Sequence, residues 1–341
     1  MNDLDYGKRN KRGDWAPNKP VSGFAPIYAF PPKLGAVLKW LPEYIAPWNL
    51  LIAAITLAYW LWVIPSVEVM QSFQLGWVLW LYAVNAIGVF LFFGLFEFRL
   101  YMQRQQGARF KYNAKFPSDA PSDVFWFQSQ NRDNILRTFA FGVTIWTAVQ
   151  ACMLWAYANG YAPWMSWAEN PIWLAALFLL VPVIHEAHFY CIHRLIHMPF
   201  LYKHVHSVHH NSVNPSPWSS LSMHPVEHVL YFGVALWHLI LPSHPVIMLF
   251  QLHKAGYGAV TGHVGFDKIE LGGERGLDTH AYAHYLHHKY FEVNYGDGLV
   301  PFDSLFGTWH DGSKEGDALM QERHRAEKQR VQAQAAKEAV L

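Results

Sequence analysis

The chain of 341 residues is 52% hydrophobic and 16% aromatic with only 15% charged residues, more apolar and poorer in charge than an average soluble domain. Its net charge of +1, with aromatic residues in apolar runs rather than between Lys and Arg, sets nucleic-acid binding aside. Cys152 and Cys191 both fall in apolar segments without paired spacing, which argues against a disulfide framework and against a thiolate metal site.

Residues 1–47 are polar and Pro-rich, carry Lys8, Arg9, Lys11 and Arg12, and lack the short apolar core of a cleaved leader, so they predict a polar N-terminal arm. Four almost unbroken apolar segments follow, at 48–65, 75–96, 139–157 and 171–184 with its continuation into the first histidines. At about 1.5 Å per residue each can cross a hydrocarbon core of about 30 Å, and none has the polar face at helical period that a soluble helix needs. Basic residues crowd the N-terminal arm and the 97–137 loop but are missing from 67–74 and 159–170, which predicts the arm and that loop on the cytoplasmic side. The chain then emerges into the cytoplasm beside His193. A further apolar pair, 229–241 and 245–260, is interrupted by Pro242-Ser-His-Pro245 and is expected to form a re-entrant hairpin, two further crossings being the alternative. From Ser313 a charged tail without a wide apolar stripe predicts a solvated helix or a disordered end. The expected fold is thus an all-α integral membrane bundle: four transmembrane helices, the re-entrant hairpin and a cytoplasmic, histidine-rich helical cap. Its divisions are the arm (1–47), a first transmembrane hairpin with its loop (48–134), a catalytic domain (135–312) and the tail (313–341).

All 20 histidines lie from residue 185 onward. Three clusters recur: His193-Arg194-Leu195-Ile196-His197, His206-Ser207-Val208-His209-His210 and His284-Tyr285-Leu286-His287-His288. Residues three and four apart share a helix face, so each cluster points two or three imidazoles the same way. A lone histidine on an apolar face is usually a satisfied core residue, whereas three such clusters at helix ends have metal-ligand geometry. Eight imidazoles exceed what one ion with an open position can use, so two metals are implied, with Fe, Zn, Mn and Cu all open on ligand type.

The run EAHFYCIHRLIH (186–197) and the following LYKHVHSVHH (201–210), then HPVEH (224–228), GHVGFD (262–267), HYLHH (284–288), NYG (294–296) and DSLFGTW (303–309), resemble the fatty acid hydroxylase and sterol desaturase superfamily. That resemblance covers roughly residues 135–312. It implies a di-iron centre that activates O2 with electrons from a separate b5-type cytochrome or ferredoxin. Carried over by position, the ligands are His193, His197, His206, His209, His210, His284, His287 and His288, with His263 a ninth. His224, placed before Pro225 and Glu227 as in the family, is a further candidate ligand, and Glu227 a candidate catalytic carboxylate. Some sterol-oxidising relatives place a histidine four residues before the His-Arg pair, where this chain has Phe189. His188 and His185 lie about 140 and 80 degrees around a helix from His193 and are expected to serve the substrate pocket or the structure. Glu186, within about 20 degrees of His193, is the second candidate catalytic carboxylate, expected to orient a ligating imidazole.

An unactivated C–H bond has no acidic proton, so the metal pair must carry the chemistry. The expected activity is O2-dependent hydroxylation of a lipid, with desaturation on the same centre as the alternative and acyl, sphingoid, sterol and ether lipids as candidate substrates. A zinc-dependent lipid hydrolase, which needs neither O2 nor reductant, and a metal or haem carrier are the competing classes. The carrier reading lacks ionisable residues along the first three apolar segments.

Overall fold

A computed structural model describes residues 1–338. The N-terminal arm is folded rather than free. A two-stranded antiparallel hairpin pairs β1 (Gly7–Arg9) with β2 (Trp15–Pro17). Trp15 at its end is buried against Phe110 and Tyr112, with ring centroids 5.6 and 6.2 Å apart. Farther on, the N–H of Ala25 donates to Leu299 O and that of Val21 to Asp311 O, so the arm is fastened across the C-terminal part of the domain. A few apolar residues within a polar stretch suffice to dock it.

Helices α1 (Leu34–Ile45) and α2 (Trp48–Trp62) are bent by 41° at the Ala46–Pro47 break and are long and apolar enough to span a membrane only as a pair. After the single turn α3 (Val67–Met70) comes α4 (Leu75–Phe96), which continues through a π-helical turn to Met102. Helix α5 (Gln130–Arg137) runs through a second π-helical turn into α6 (Thr144–Ala158), and α7 spans Pro171–Ile196. The runs 75–102, 130–158 and 171–196 are each long and apolar enough to cross a membrane, so the described residues hold three candidate spans, or four with the bent pair. Helix α4 is apolar on every face: Leu81, Val89 and Phe93 are buried while Leu79, Phe90, Leu91 and Leu95 are more than half exposed. Outward leucine and phenylalanine at that density suit lipid, not water. Inside the bundle Asn85 accepts from Tyr59 and donates to Thr147 and Gln150, so its buried amide is satisfied by neighbouring helices.

Beyond α7 lie the short helices α8 (Pro199–Leu201) and α9 (Ser207–His210), joined by a π-helical turn over Tyr202–His206. The 225–263 hairpin comprises α10 (Pro225–Phe232), a 3-10 helix over Gly233–Leu239 and α11 (Pro245–His263). Its turn meets the 159–167 loop: Met165 N–H donates to Ser243 O, and Ser243 N–H donates to Pro163 O. Helix α11, about 28 Å long by its rise, is the largely buried centre of the bundle. A second hairpin, β3 (Lys268–Gly272) with β4 (Arg275–Asp278), departs from the all-α expectation. It turns through Gly272 and Gly273 at φ +110° and +58°, where a side chain would be strained. Helices α12 (Tyr282–Tyr290), α13 (Phe302–Leu305) and α14 (Lys314–Glu338) complete the chain, α14 occupying the predicted tail.

Two basic residues counted as markers of the cytoplasmic side are buried. Lys111 lies over the rings of Tyr101, Phe116 and Phe266, and Arg137 pairs with Asp133 and stacks on Trp126. Tyr101 at the end of the α4 run donates to Pro215 O and Val264 O, which ties the 97–137 loop to the histidine-bearing end of the bundle.

Candidate metal centre

Four elements deliver the histidines: the C-terminal turn of α7, α9 with its preceding π-helical turn, the end of α11, and α12. Nine imidazoles converge in two groups, each with one nitrogen per residue within 4.8 Å of the others. The first comprises His193, His197, His206, His210 and His287, and the second His209, His263, His284 and His288. Adjacent histidines divide between the groups. His209 and His210 point to different groups, as do His287 and His288, because consecutive residues on a helix diverge by about 100°. Spacing of four keeps partners together: His193 with His197, His206 with His210, His284 with His288.

The far nitrogens of five rings are held by the protein. His193 Nδ1 meets Tyr295 O at 2.7 Å, His287 Nδ1 meets Val293 O at 2.7 Å, and His263 Nδ1 meets Ala259 O at 2.9 Å. His209 Nδ1 faces Ser222 O at 3.3 Å and His206 Nδ1 faces Glu227 Oε1 at 2.8 Å. Carbonyl oxygens only accept, so Nδ1 carries the proton in His193, His287, His263 and His209, as it does in His206 when Glu227 is ionised, and each Nε2 then presents a lone pair. Those lone pairs face one another. His206 Nε2 lies 3.2 Å from His193 Nε2 and 3.0 Å from His210 Nε2, while His263 Nε2 lies 3.2 Å from His209 Nε2 and 3.1 Å from His284 Nε2. Opposed lone pairs repel unless a cation lies between them. Two nitrogens each about 2.1 Å from one ion sit roughly 3.0–3.4 Å apart, so the spacing fits shared coordination in both groups. His197 Nε2 and both ring nitrogens of His288 are buried without a hydrogen-bond partner, as a ligand atom waiting for a metal would be. The residues therefore fit two metal ions.

Electrostatics agree with ligand duty. Burial, reinforced by neighbouring imidazoles, holds His206, His210, His284 and His288 well below the usual histidine range, and burial lowers His287 to about 4. Neutral imidazole is the form that binds a metal. Burial also raises Glu227 well above the ordinary carboxylate range. Without a nearby cation the Glu227–His206 pair therefore favours its neutral form, and a bound dication would draw the carboxylate back to its anion.

Other predicted site residues lie elsewhere. His224 caps α10, its Nδ1 accepting from Val226 N–H, and is not brought to either group. Glu186 was expected to touch an imidazole and instead accepts from the backbone N–H groups of Leu299 and Val300. Half a turn of the loop farther back, Asp303 accepts from Tyr295 and Gly296 N–H. Together the two carboxylates shape the 293–300 loop, whose carbonyls hold His193 and His287. His188 contacts Leu230 O and Trp237, His185 faces a cavity, and Phe189 packs on the His193 ring at 4.7 Å.

That cavity, of about 790 Å³, opens between α1, α7 and α11 and ends at His193, His206, His209, His263 and His284. Its walls include Trp40, Tyr44, Trp48, Phe189 and Tyr231, an aromatic lining suited to a lipid body. Sequence reading did not identify Tyr295, Val293 and Ser222 as partners of the ligands, since they contribute backbone carbonyls and any residue type supplies one. Asp297 was missed for another reason. It belongs to no cluster, yet its Oδ1 lies 3.8 Å from His284 Nδ1.

Residues 178–308 match the family model for Fatty acid hydroxylase. This segment is similar to a fatty acid hydroxylase domain. It contains all nine converging histidines together with Glu186, Glu227, Asp297 and Asp303. Among curated proteins the chain is similar to a Delta(7)-sterol 5(6)-desaturase of Gibberella zeae, 31% identical over 171 residues that cover 46% of this chain and 50% of that one. A second such desaturase, erg3B of Aspergillus fumigatus, is 27% identical over 198 residues, 56% of each chain. A third, from Leptosphaeria maculans, is 28% identical over 162 residues, 46% of this chain and 41% of that one. The chain thus spans about half the length of the curated relatives it matches. No solved structure matches it significantly. The matched segment and the candidate metal centre therefore coincide along the chain.

Proposed function

We propose that this protein is a membrane-embedded oxygenase that uses two histidine-bound metal ions, iron by the superfamily's chemistry, to oxidise a C–H bond of a lipid. The observation that carries the reading is the pair of all-imidazole groups at the inner end of an aromatic cavity. When bound there, a reduced metal pair supplies from O2 the oxidant that removes hydrogen from an unactivated C–H bond.

The chain's own residues do the rest. His193, His197, His206, His210 and His287 would hold one ion, and His209, His263, His284 and His288 the other. The carbonyls of Tyr295, Val293, Ala259 and Ser222 and the carboxylate of Glu227 fix ring orientation and keep the proton on Nδ1. Glu186 and Asp303 act one step farther out, as positioning residues for the loop. Phe189 and Tyr231 shield the ligand face that borders the cavity, and Tyr44, Trp48 and Trp40 would flank the lipid body. Hydroxylation, which consumes O2, two electrons and two protons and releases water with the alcohol, is the reading taken from the sequence. Desaturation is the second reading, favoured by the similarity to Delta(7)-sterol 5(6)-desaturases. Both need an external electron donor, proposed as a b5-type cytochrome or ferredoxin. The active site is proposed to face the cytoplasm, because the Arg- and Lys-rich 97–137 loop packs beside it.

Mass spectrometry of lipids from cells with and without the protein, grown under labelled dioxygen, tests this. One labelled oxygen gained marks hydroxylation, and two hydrogens lost without label marks desaturation. A product that forms without O2 would favour the hydrolase, and an unchanged lipid profile would count against any lipid oxidation.

A further inference from the structure

The 790 Å³ cavity holds charge that metal binding does not use. Lys254, in the middle of the buried helix α11, lines it. Among the described residues its Nζ makes no hydrogen bond and no salt bridge, and the carboxylates of Asp297 and Glu186 line the same cavity. Glu186 is already committed to the N–H groups of Leu299 and Val300. Asp297 is not: its side chain is 53% exposed, borders the cavity, and among the described residues has His284, at 3.8 Å, as its polar contact.

The path between the ammonium and the histidines is kept open by glycine. Lys254, Gly258 and Gly262 follow one another at four-residue spacing on one face of α11. A Cβ at Gly258 would lie 3.3 Å from Lys254 Cδ and 3.6 Å from its Nζ, so the lysine side chain runs along the helix toward the metal end. A Cβ at Gly262 would lie 3.8 Å from the His284 ring. The absent side chains leave a smooth floor leading from the lysine to the second histidine group.

We infer that Lys254 and Asp297 form a polar recognition site inside the cavity, which binds a neutral hydroxyl group of the lipid between an ammonium donor and a carboxylate acceptor. Charge selects this class of group. An anionic head would meet Asp297 and Glu186, with Glu43, Glu227, Asp267 and Asp278 also on the cavity wall, and a cationic head would meet Lys254 and Lys39. A hydroxyl both donates and accepts, and so satisfies both partners at once. This inference rests on the lipid-oxidising reading for its substrate class, but its test reads binding rather than turnover.

The metal-loaded, detergent-solubilised protein is titrated with four sterol probes of one skeleton: cholesterol, cholestane, cholesteryl sulfate and 3-aminocholestane. The same series is run on an 18-carbon chain with octadecanol, octadecane, stearate and stearylamine. The expected result is that, in at least one series, the alcohol binds tightest, by about tenfold over the hydrocarbon, the size of one charge-assisted hydrogen bond. Lys254→Met and Asp297→Asn should each reduce that preference several-fold, and Lys254→Met should do so with metal content at the wild-type value. Lys254→Met is also expected to improve relative binding of the amine, and Asp297→Asn that of the anion. Equal binding of alcohol and hydrocarbon, an anion or amine that binds best to the wild type, a preference unchanged in both variants, or no binding by any probe would each overturn the inference. A protein that binds the alcohol as described yet yields no oxidised lipid would sink the oxygenase reading and leave the recognition site standing.

Discussion

Glu227 Oε1 lies 2.8 Å from His206 Nδ1, and both groups are almost fully buried. The carboxylate fixes the tautomer of a ring whose Nε2 faces two other imidazoles. Glu227→Gln keeps an oxygen acceptor but loses the charge that a bound dication would favour. Removing such an outer partner typically costs about 10–100-fold in metal affinity. Chelator competition followed by metal analysis should show a loss of that size, with Glu227→Ala worse than Glu227→Gln. Wild-type retention in the alanine variant would remove Glu227 from the centre.

His287 and His209 belong to different groups. His287→Ala and His209→Ala should therefore each lower metal content from about two ions toward one, and each should abolish oxidised product. The double variant should bind none tightly. Metal analysis of purified protein is the measurement, and two ions retained in both single variants would break the assignment of two separate groups.

Glu186 is tested by stability. Replacing it with alanine leaves the buried N–H of Val300, and the partly buried N–H of Leu299, without an acceptor, a cost of about 1–3 kcal/mol each before any relaxation. Glu186→Ala should lower the apparent melting temperature in detergent and expose the 293–300 loop to limited proteolysis. Glu186→Gln, which retains one acceptor oxygen, should fall between it and the wild type. If instead the alanine variant melts like wild type but loses metal, Glu186 acts on the ligands directly.

The metal-free protein should be acid-labile. Burial lowers His287 to about 4, and burial with the nearby His287 and His209 lowers His197 to about 2. In the unfolded chain the same rings take up protons below about 6.5. The unfolded state therefore binds more protons across that window, so stability is full above about pH 6.5 and is lost as pH falls through 4 toward 2. Each such histidine contributes a slope of about 1.4 kcal/mol per pH unit. Melting of chelator-treated protein followed by tryptophan fluorescence should show a midpoint that is level from pH 8 to 7 and drops steeply below 6.5. A midpoint that does not change down to pH 5 would contradict the buried, neutral state of these rings.

Packing of the central helix offers an independent check. A Cβ at Gly256 would fall 2.4–2.8 Å from three atoms of the buried Trp146 ring. Gly256→Ala should destabilise by about 1–3 kcal/mol through overpacking, and Trp146→Phe in the same chain should recover part of it. Thermal melting of the single and double variants measures the coupling.

The sequence by itself determined that the protein is apolar, mostly helical and rich in histidines at metal-ligand spacing. Those properties are written in local patterns: runs of apolar residues long enough to span a membrane, and histidines three and four apart on helix faces. Through spacing and flanks that resemble a family it also singled out the nine residues that converge, together with His224, which does not join them. Tertiary structure decided how they divide. Whether His209 joins His206 or His263 depends on the angle at which α9 meets α11 and α12, and no spacing within one helix encodes that. It also decided that Glu186 holds a loop instead of an imidazole, and that His224 caps a helix. In both cases helical phase gave the direction of the side chain, but what stood in that direction came from a segment distant in the chain. The same holds for Lys254 and Asp297, 43 positions apart in sequence and brought to one cavity only by the fold.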